Sequence, residues 1–424
     1  MKIEAIAHSE CGPIREANED AYLVDAANQL YIVADGMGGH AAGDVASRMA
    51  VEYIQEMVDR HRMVIEGFNR GEADAEAVET LLEDALRKAG STIFQSAAQH
   101  SNYRGMGTTV SALLLTKRRG FVAHVGDSRI YLVRDESVEQ ITEDHSLLNE
   151  MIKQGRIKPG DPRSAAYSNA ITRAVGIYHD VKVDAFNFEI ASGDTFFLCS
   201  DGLSEFLTTP REIHDVIKAQ GVDKTAAHLT DLAILRGSRD NATAVVVNIH
   251  HDQAVQHLPD AKILSKRLNL LQRMPLFQHL SYVELMEILK LSEVRGIPQG
   301  EAVFAEREIG EELFIILDGK IRISKAEVTL AQLDVGGHFG EMAILDKGMR
   351  SATATATADT QLLVVARRPL FTLLKKDKEI AVKLLWSLVY VVTERLRLAN
   401  VELSETRDES ASQTIIPPIG NAHS

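Results

Sequence analysis

Three aspartates stand where a site for divalent cations would need them. They are Asp35 in VADGMGGH, Asp201 in LCSDG and Asp240 in RDNATAVVV. Each lies at one end of a short apolar run, and such runs predict buried strands. A buried strand leaves the carboxylate at its end little freedom, as a site for hard cations requires. One Asp-Gly pair would indicate only a turn, but three strand-end aspartates together favour a metal site.

The elements that must position these aspartates are predicted from the same runs. Residues 31–34 precede Asp35 and residues 196–199 precede Asp201, whereas residues 244–247 follow Asp240. Helical patterns over 46–58 and 75–99 alternate with these strands. We therefore expect the chain up to about residue 249 to mix strands and helices.

Length and composition limit the class of protein. A chain of 424 residues is too long for one ordinary domain. Its net charge of −14, with no Lys/Arg cluster, argues against wholesale binding to nucleic acid. The N-terminus does not read as a signal peptide, and the longest apolar stretch, near 384–392, is too short to span a membrane. The two cysteines are too few for a disulfide framework. We expect a cytoplasmic protein without a membrane partner.

Beyond the strands, the pattern predicts a linker at 253–263 and a second domain at 264–403. A helical stretch over 263–291 is followed by short strands with Gly turns. Asp318-Gly319 indicates a hairpin, and the alternating SATATATAD indicates a half-buried strand. The last helix is predicted over 379–403, and the Pro-containing tail at 404–424 is predicted to be disordered.

The first half resembles the PPM (type 2C) metal-dependent serine/threonine protein phosphatases, in particular their bacterial branch. The motifs SECGPIREANED, VADGMGGHAAGDVAS, MGTTV, AHVGDSRIYLV, LCSDGLSEF and SRDNATAVVV occur in the order of that family. The resemblance implies an α+β protein whose residues 1–252 form an α/β/β/α-layered sandwich. It also implies a site for two Mn²⁺ or Mg²⁺ ions, which can activate water and neutralise phosphoryl oxygens.

The resemblance implies roles for seven residues of these motifs. Asp35 would bridge both ions, and Arg15 would bind two phosphate oxygens as a fork. Cations of this kind prefer the all-oxygen ligands found here. The residues implied around the ions are Asp35, the carbonyl of Gly36, Asp201, Asp240, Glu19 and Asp20.

This chain departs from the family pattern at several positions. Met37 stands where animal members have a proton-donating histidine, so the general acid is unassigned and metal-bound water is an alternative. Glu205 replaces the aspartate that often supports a third metal, although Asp127 of that site is retained. His145 is interpreted as making a structural hydrogen bond rather than acting in catalysis. The segment 151–168 corresponds to the variable flap that governs substrate choice.

The second half resembles the cyclic nucleotide-binding domains of catabolite-activator proteins and cyclic-nucleotide-dependent kinases. LQRMPLFQHLSYVELMEIL, GEELFIILDGKIRI and FGEMAILDKGMRSATA carry the resemblance, which implies a β-roll, or jelly roll, with flanking helices. Gly340 would let the backbone approach the ligand, and the N–H groups of a short helix would bind the cyclic phosphate. Glu341 would accept from the ribose and Arg350 would pair with the phosphate. The implied ligand residues are Gly340, Glu341, Met342, Ala343, Arg350 and Ser351.

Two interpretations of the second half stay open. Ser351 after Arg350 favours cAMP over cGMP as the effector, whereas a β-roll that has lost its ligand would serve as a protein-interaction module. The spacing of Val382, Leu385, Val389 and Val392 would allow a homodimer through the last helix. We therefore expect a phosphoserine/phosphothreonine protein phosphatase regulated by a cyclic nucleotide. The alternative is a catalytically weak, phosphatase-like scaffold.

Overall fold

The computed structural model of this protein describes residues 2–38, 42–158, 160–161, 163–164, 167, 170–207, 209–250, 258–326, 328–342 and 348–412. The chain divides into two compact units between Lys266 and Arg267. This division falls within a helix, Ala261–Gln272, whose first residues were predicted to belong to the linker. Residues 253–257 of that linker lie outside the described part of the chain.

Antiparallel strands build the first unit. They are β1 (Ile3–Glu10), β2 (Asp20–Asp25), β3 (Leu30–Met37), β4 (Gly107–Thr108), β5 (Val110–Leu115), β6 (Arg119–Val125), β7 (Arg129–Arg134), β8 (Ser137–Gln140), β9 (Asp184–Glu189), β10 (Thr195–Cys199) and β11 (Ala242–Ile249). One sheet has the order β1-β11-β10-β7-β8. The other has the order β2-β3-β5-β6-β9, with β4 paired to β3.

Helices cover the outer faces of both sheets. They are α1 (Gly43–Arg60), α2 (Arg62–Arg70), α3 (Ala75–Gln99), α4 (Leu147–Lys153), α5 (Asp201–Ser204), α6 (Pro210–Gln220) and α7 (Val222–Leu235). Helices α1 and α3 pack on the sheet that contains β3 and β6, and α7 packs on β1 and β11. Because β11 also contacts β2 and β3, the two sheets face each other. The α/β/β/α layering predicted from the resemblance is confirmed.

The buried strands in this unit are those that the apolar runs predicted. Every residue of β10 is buried, and so are all but one of β11. In β3, the apolar residues 30–34 are buried as well. Strands that are buried on both faces read as continuous apolar runs rather than as alternating patterns. Strands β3 and β10 lead to Asp35 and Asp201, and β11 begins just after Asp240.

The second unit is a β-roll with flanking helices, as predicted. Its sheets have the orders β12-β19-β14-β17 and β13-β18-β15-β16, and Phe314, Phe339, Ala354 and Leu362 contribute to the core. The elements from the boundary helix onward are α8 (Ala261–Gln272), α9 (Tyr282–Lys290), β12 (Ser292–Ile297), β13 (Ala302–Phe304), β14 (Glu312–Asp318), β15 (Ile321–Lys325), β16 (Val328–Leu333), β17 (His338–Phe339), β18 (Thr353–Ala356), β19 (Thr360–Ala366), α10 (Arg367–Lys376) and α11 (Lys378–Ser412).

Two local predictions in this unit differ from the structure. Asp318-Gly319 forms a turn, but β14 and β15 belong to different sheets, so the predicted hairpin is wrong. Gly319 has a φ of +87°, and a Cβ there would overlap Thr360. Helix α11 continues to Ser412, nine residues into the tail predicted as disordered, because 404–412 contains no Gly or Pro to end it. In the described residues, no helix is long and apolar enough to cross a membrane.

Candidate metal centre and nucleotide pocket

The three aspartates converge at one end of the two sheets. Strands β10 and β11 are antiparallel neighbours with Cys199 opposite Ala244, so the end of β10 and the start of β11 lie side by side. Asp201 directly follows β10, and Asp240 lies just before β11. Asp35 lies near the end of β3 in the other sheet, close enough to Asp201 for the two carboxyls to shift each other's pKa. The fold therefore assembles an acidic cluster from two sheets.

Burial and mutual repulsion raise the pKa values of these carboxyls. Burial raises the pKa of Asp35 well above its usual range, and the charges of Asp20 and Asp201 raise it further. The pKa of Asp201 is raised first by burial and also by the charge of Asp240. Burial is likewise the main cause that brings the pKa of Asp20 to about 7. Like charges at such short range favour the neutral forms unless a cation intervenes.

The donor set of this cluster fits hard divalent cations. Among the described residues, no three His, Cys, Asp or Glu side chains already converge as ligands, so this is an acidic cluster rather than a formed coordination shell. The buried Oδ1 of Asp20 nevertheless has no hydrogen-bond partner, an arrangement that is costly without a compensating group. Carboxylate and carbonyl oxygens are the ligands that Mg²⁺ and Mn²⁺ prefer.

Three polar residues that sequence reasoning missed hold the cluster in place. The hydroxyls of Ser200 and Thr243 donate to Oδ2 of Asp20 at 2.8 and 2.6 Å. Asn241 accepts from the backbone N–H of Glu19 at 2.9 Å and donates to the carbonyl of Cys11 at 2.7 Å. All three flank the predicted aspartates in sequence, and that proximity was the available signal.

Arg15 lies beside the same cluster and forms an ion pair with Asp240. Its Nη2 donates to Oδ2 of Asp240 at 2.6 Å, and half of its side chain is exposed. This hydrogen bond is the main cause that raises the pKa of the guanidinium. The predicted phosphate-binding arginine and the predicted metal ligand are thus partners of each other.

Gly36 occupies a position that excludes any side chain. A Cβ at this residue would overlap the carbonyl oxygens of Gly43 and Glu19. The N–H of Gly36 donates to the Glu19 carbonyl at 3.2 Å. The loop containing Glu19 therefore packs directly on the backbone after Asp35, and the glycine is required for that close approach.

Asp127 belongs to the cluster as well. It is buried, and burial followed by the charge of Asp201 raises its pKa to about 7. Glu205 is exposed, with a pKa raised by burial of its carboxyl and by Asp201. His145 accepts from the Gly126 N–H at 3.0 Å, so it makes a structural hydrogen bond as predicted. The predicted flap, 151–168, lies partly outside the described residues.

A separate pocket lies in the second unit and contains most of the predicted nucleotide ligands. It encloses about 320 Å³ and is lined by Phe304, Ile323, Ala331, Leu333, His338, Phe339, Gly340, Glu341, Met342, Met349, Arg350, Ser351 and Ala352. Gly340 has a φ of +82°, and a Cβ there would come within 2.7 Å of the Arg350 guanidinium. Ala343, the third residue of the predicted short helix, lies outside the described residues, as do residues 344–347.

Arg350 gives the pocket a buried positive charge. Its guanidinium carbon lies 4.1 Å from the centre of the Phe304 ring. Nη1 donates to the carbonyls of Glu312 at 3.1 Å and Gly340 at 3.3 Å, whereas the buried Nε has no hydrogen-bond partner. Burial lowers the pKa of this guanidinium, although nearby glutamates partly offset the effect. The pocket thus combines an apolar wall with a buried guanidinium, which suits an anionic ligand that has an apolar body.

Family models match both units. The model described as protein phosphatase 2C matches residues 15–232, which is half of the chain, and a cyclic nucleotide-binding domain model matches 294–377. The serine/threonine phosphatase stp of Listeria welshimeri is 35% identical over 243 residues, covering 56% of this chain and 92% of that protein.

Solved structures agree with the match to the first family. The crystal structure of the Mycobacterium tuberculosis serine/threonine phosphatase PstP superposes with a TM-score of 0.52 at 32% identity, covering 59% of this chain and 99% of the other. The catalytic domain of PstP in complex with two manganese ions gives a TM-score of 0.50 at 33% identity, covering 58% and 98%.

Proposed function

Because this chain belongs to the protein phosphatase 2C family and carries a cyclic nucleotide-binding domain, we propose that a cyclic nucleotide regulates its protein serine/threonine phosphatase activity. The phosphatase activity itself follows from the family. The regulation is our proposal, with cAMP favoured over cGMP as the effector. The observation that supports it best is the buried Arg350 guanidinium, whose Nε has no hydrogen-bond partner in a pocket of about 320 Å³.

We propose that Asp35, Asp201 and Asp240 hold two Mn²⁺ or Mg²⁺ ions with the carbonyl of Gly36. The repulsion that raises the pKa values of Asp35 and Asp201 supports this assignment, as does the two-manganese complex of the similar PstP domain. Such ions activate water and neutralise phosphoryl oxygens when bound. The proposed supporting and third-site residues are Glu19, Asp20 and Asp127.

The chain's own residues would bind and orient the phosphorylated side chain. We propose that Arg15 releases Asp240 and forks onto two phosphate oxygens, because a planar guanidinium matches that geometry. Its half-exposed side chain at the edge of the cluster leaves it accessible to a phosphoprotein. Met37 lies where a proton-donating histidine stands in animal members, and its thioether cannot supply a proton.

In the second unit, we propose that Arg350 pairs with the cyclic phosphate and Glu341 accepts from the ribose. Both side chains are buried and line the same pocket. Ser351, which lines it as well, favours cAMP by its resemblance to cAMP-type pockets. Gly340, Met342 and Ala343 complete the proposed ligand set.

The decisive experiment measures hydrolysis of a phosphopeptide with Mn²⁺, with and without cAMP or cGMP, and measures binding of both nucleotides by calorimetry. We expect cAMP to bind more tightly and to change kcat/KM by about 5- to 150-fold, the usual size of allosteric coupling. Wild-type protein that turns over but binds neither nucleotide would leave the phosphatase standing and remove the sensor. Binding without any effect on turnover would remove only the regulation.

We also propose that two copies associate through helix α11. Its apolar residues Ile380, Leu384, Leu388 and Val391 are buried, whereas Val382, Leu385, Trp386 and Val389 form an exposed stripe on another side. A second copy offers the same stripe at the same spacing, which suits a coiled-coil seam. Light scattering of wild type and Leu385→Glu tests this, since a monomeric wild type would contradict it.

The remaining expectations are proposals of the same kind. We propose domain bounds of 1–252 and 264–403 and a cytoplasmic location, which is consistent with the two unpaired cysteines. A scaffold without turnover is the competing function for the whole chain. The retained acidic cluster disfavours it, and the phosphopeptide assay separates the two.

A further inference from the structure

His145 is buried behind the Asp127 turn and holds Gly126 through both of its backbone polar groups. The N–H of His145 donates to the Gly126 carbonyl at 2.7 Å, and the N–H of Gly126 donates to Nδ1 of His145 at 3.0 Å. Since Nδ1 accepts, the proton of a neutral imidazole lies on Nε2. Gly126 has a φ of +114°, and a Cβ there would lie 2.5 Å from the Thr109 side chain. The turn therefore has little room to rearrange.

The other edge of the imidazole, at Nε2, contacts the ion pair of Asp184 and Arg173. Nε2 lies 2.9 Å from Oδ2 of Asp184, to which it donates in this tautomer, and also 2.9 Å from Nη1 of Arg173. The same Nη1 donates to Oδ1 of Asp184 at 2.8 Å. Burial by itself raises the pKa of Asp184, but the hydrogen bond from His145 and the charge of Arg173 hold it well below its usual range. An ionised Asp184 thus fixes the tautomer and the orientation of the ring, as outer carboxylates do for histidines at other sites.

Arg173 belongs to the chain that returns from the flap. In this segment, the N–H of Thr172 donates to the His145 carbonyl at 2.7 Å, and Val175 and Thr108 exchange two backbone hydrogen bonds of 2.8 and 2.9 Å. The hydroxyl of Thr108 donates to the carbonyl of Asp35 at 2.9 Å. The return segment is therefore bonded on one side to His145 and on the other to Thr108 of β4, which itself donates to the carbonyl of Asp35.

We propose that His145 is a positioning residue, which with Asp184 and Arg173 locks the Gly126–Asp127 turn and the flap's return segment into one unit. Substrate contacts made by the flap are thereby set in fixed register with the acidic cluster. This inference rests on the proposed phosphatase site and deepens it, because it assigns the alignment of the phosphoprotein to residues that do not touch phosphate.

The first test compares Asp184→Asn with wild type on two substrates. We expect kcat/KM for a phosphopeptide to fall roughly 10- to 100-fold, the usual cost of losing an outer-shell partner, with most of the loss in KM. Turnover of p-nitrophenyl phosphate, which is too small to need the flap, should change by no more than about threefold. Amide hydrogen exchange should accelerate at 126–128 and 170–175 and stay unchanged elsewhere.

A matched pair at His145 separates its two contacts. Asn places an acceptor near the position of Nδ1 but offers no donor to Asp184, whereas Gln places a donor near Nε2 but no acceptor for Gly126. If the lock needs both contacts, His145→Asn and His145→Gln each reproduce the Asp184→Asn result. Asp180→Asn, which breaks an exposed ion pair with Arg87 on the same stretch of chain, is the control and should match wild type.

Several outcomes would overturn the proposal. Folded Asp184→Asn with unchanged phosphopeptide kcat/KM contradicts it, and so do equal losses on both substrates with uniformly faster exchange, which would indicate a structural role only. If Asp184→Asn does not fold, Arg173→Gln, which removes the other half of the same half-buried ion pair, takes its place. A wild type that hydrolyses neither substrate refutes the proposed function, while the exchange data still decide whether the lock exists.

Discussion

Both candidate sites contain buried charge, but they contain it with opposite sign and in different ways. The acidic cluster brings together the carboxyls of Asp20, Asp35 and Asp201, and their burial and mutual repulsion raise the pKa of each. The nucleotide pocket contains one guanidinium, Arg350, which lies against the Phe304 ring and donates to two carbonyls. Repulsion between its carboxylates makes the acidic cluster depend on a bound cation. In the nucleotide pocket, the Phe304 ring and two carbonyl dipoles stabilise the Arg350 charge even without a ligand.

The largest expected effect breaks the acidic cluster. Asp201→Asn keeps the shape of the side chain and removes a charge that the cations need. We expect phosphopeptide turnover to fall by at least about a thousandfold, since metal assistance is worth several kcal/mol. Steady-state kinetics with saturating Mn²⁺ would measure this.

The same substitution should raise the melting temperature of chelated protein, because it removes repulsion as well as function. The exposed Asp215→Asn is the matched control and should alter neither quantity. Turnover by Asp201→Asn near the wild-type rate would contradict the proposed site.

The second prediction breaks the nucleotide pocket. Arg350→Ala should weaken binding of the cyclic nucleotide by about 2–5 kcal/mol, because the buried phosphate would lose its charged partner. Calorimetry would measure the change. Arg350→Lys should recover only part of the lost affinity, since an ammonium lacks the planar guanidinium group that stacks on Phe304. Full affinity in the alanine variant would show that the anion binds elsewhere.

The third prediction is that the acidic cluster, unlike the nucleotide pocket, makes the free energy of unfolding depend on pH. Asp20 and Asp127 have pKa values of about 7 in the folded protein, above the usual value of about 3.9. The folded state therefore holds protons that the unfolded chain releases between these values. Without metal, the stabilising contribution of these two carboxyls should be fully present below about pH 4 and be lost, by on the order of a few kcal/mol, as the pH rises to about 7.

Urea unfolding with and without chelator would test this slope, and Asp127→Asn should flatten it. Mn²⁺ should flatten it as well by replacing the protons. The Arg350 pocket should contribute nothing to the slope, since a guanidinium stays charged throughout this range. Identical slopes between pH 4 and 7 for chelated wild type and chelated Asp127→Asn would refute the account of the cluster.

The smallest expected effect concerns the ion pair between Arg15 and Asp240 at the acidic cluster. Arg15→Ala should raise KM for a phosphopeptide by about tenfold and change kcat less, because a phosphate contact made in both ground and transition states contributes uniform binding. Arg239→Ala, at an exposed arginine next to Asp240, is the control. An unchanged KM would mean that Arg15 serves only as the partner of Asp240.

The sequence predicted those parts of the molecule that depend on local pattern. The strands leading to Asp35 and Asp201 were found because continuous apolar runs must be buried, and the α/β/β/α layering followed from the resemblance. The Asp318-Gly319 hairpin was wrong because a turn sequence does not reveal whether the next strand joins the same sheet. The Arg15–Asp240 pair and the Gly126–His145 contact join residues 225 and 19 positions apart. Only the folded chain brings such partners together.

Helix α8 decides how the two halves can be isolated for study. Leu264 and Ser265 lie in its first part, counted with the phosphatase unit, and Leu268 and Leu271 lie in its second part, counted with the β-roll; all four are buried. Division of the chain anywhere between 261 and 272 would take apolar side chains from one product. Two overlapping fragments, 1–272 and 261–412, would each keep the whole helix. Fragments for separate study of the two units should therefore both include residues 261–272, so that neither loses part of this helix.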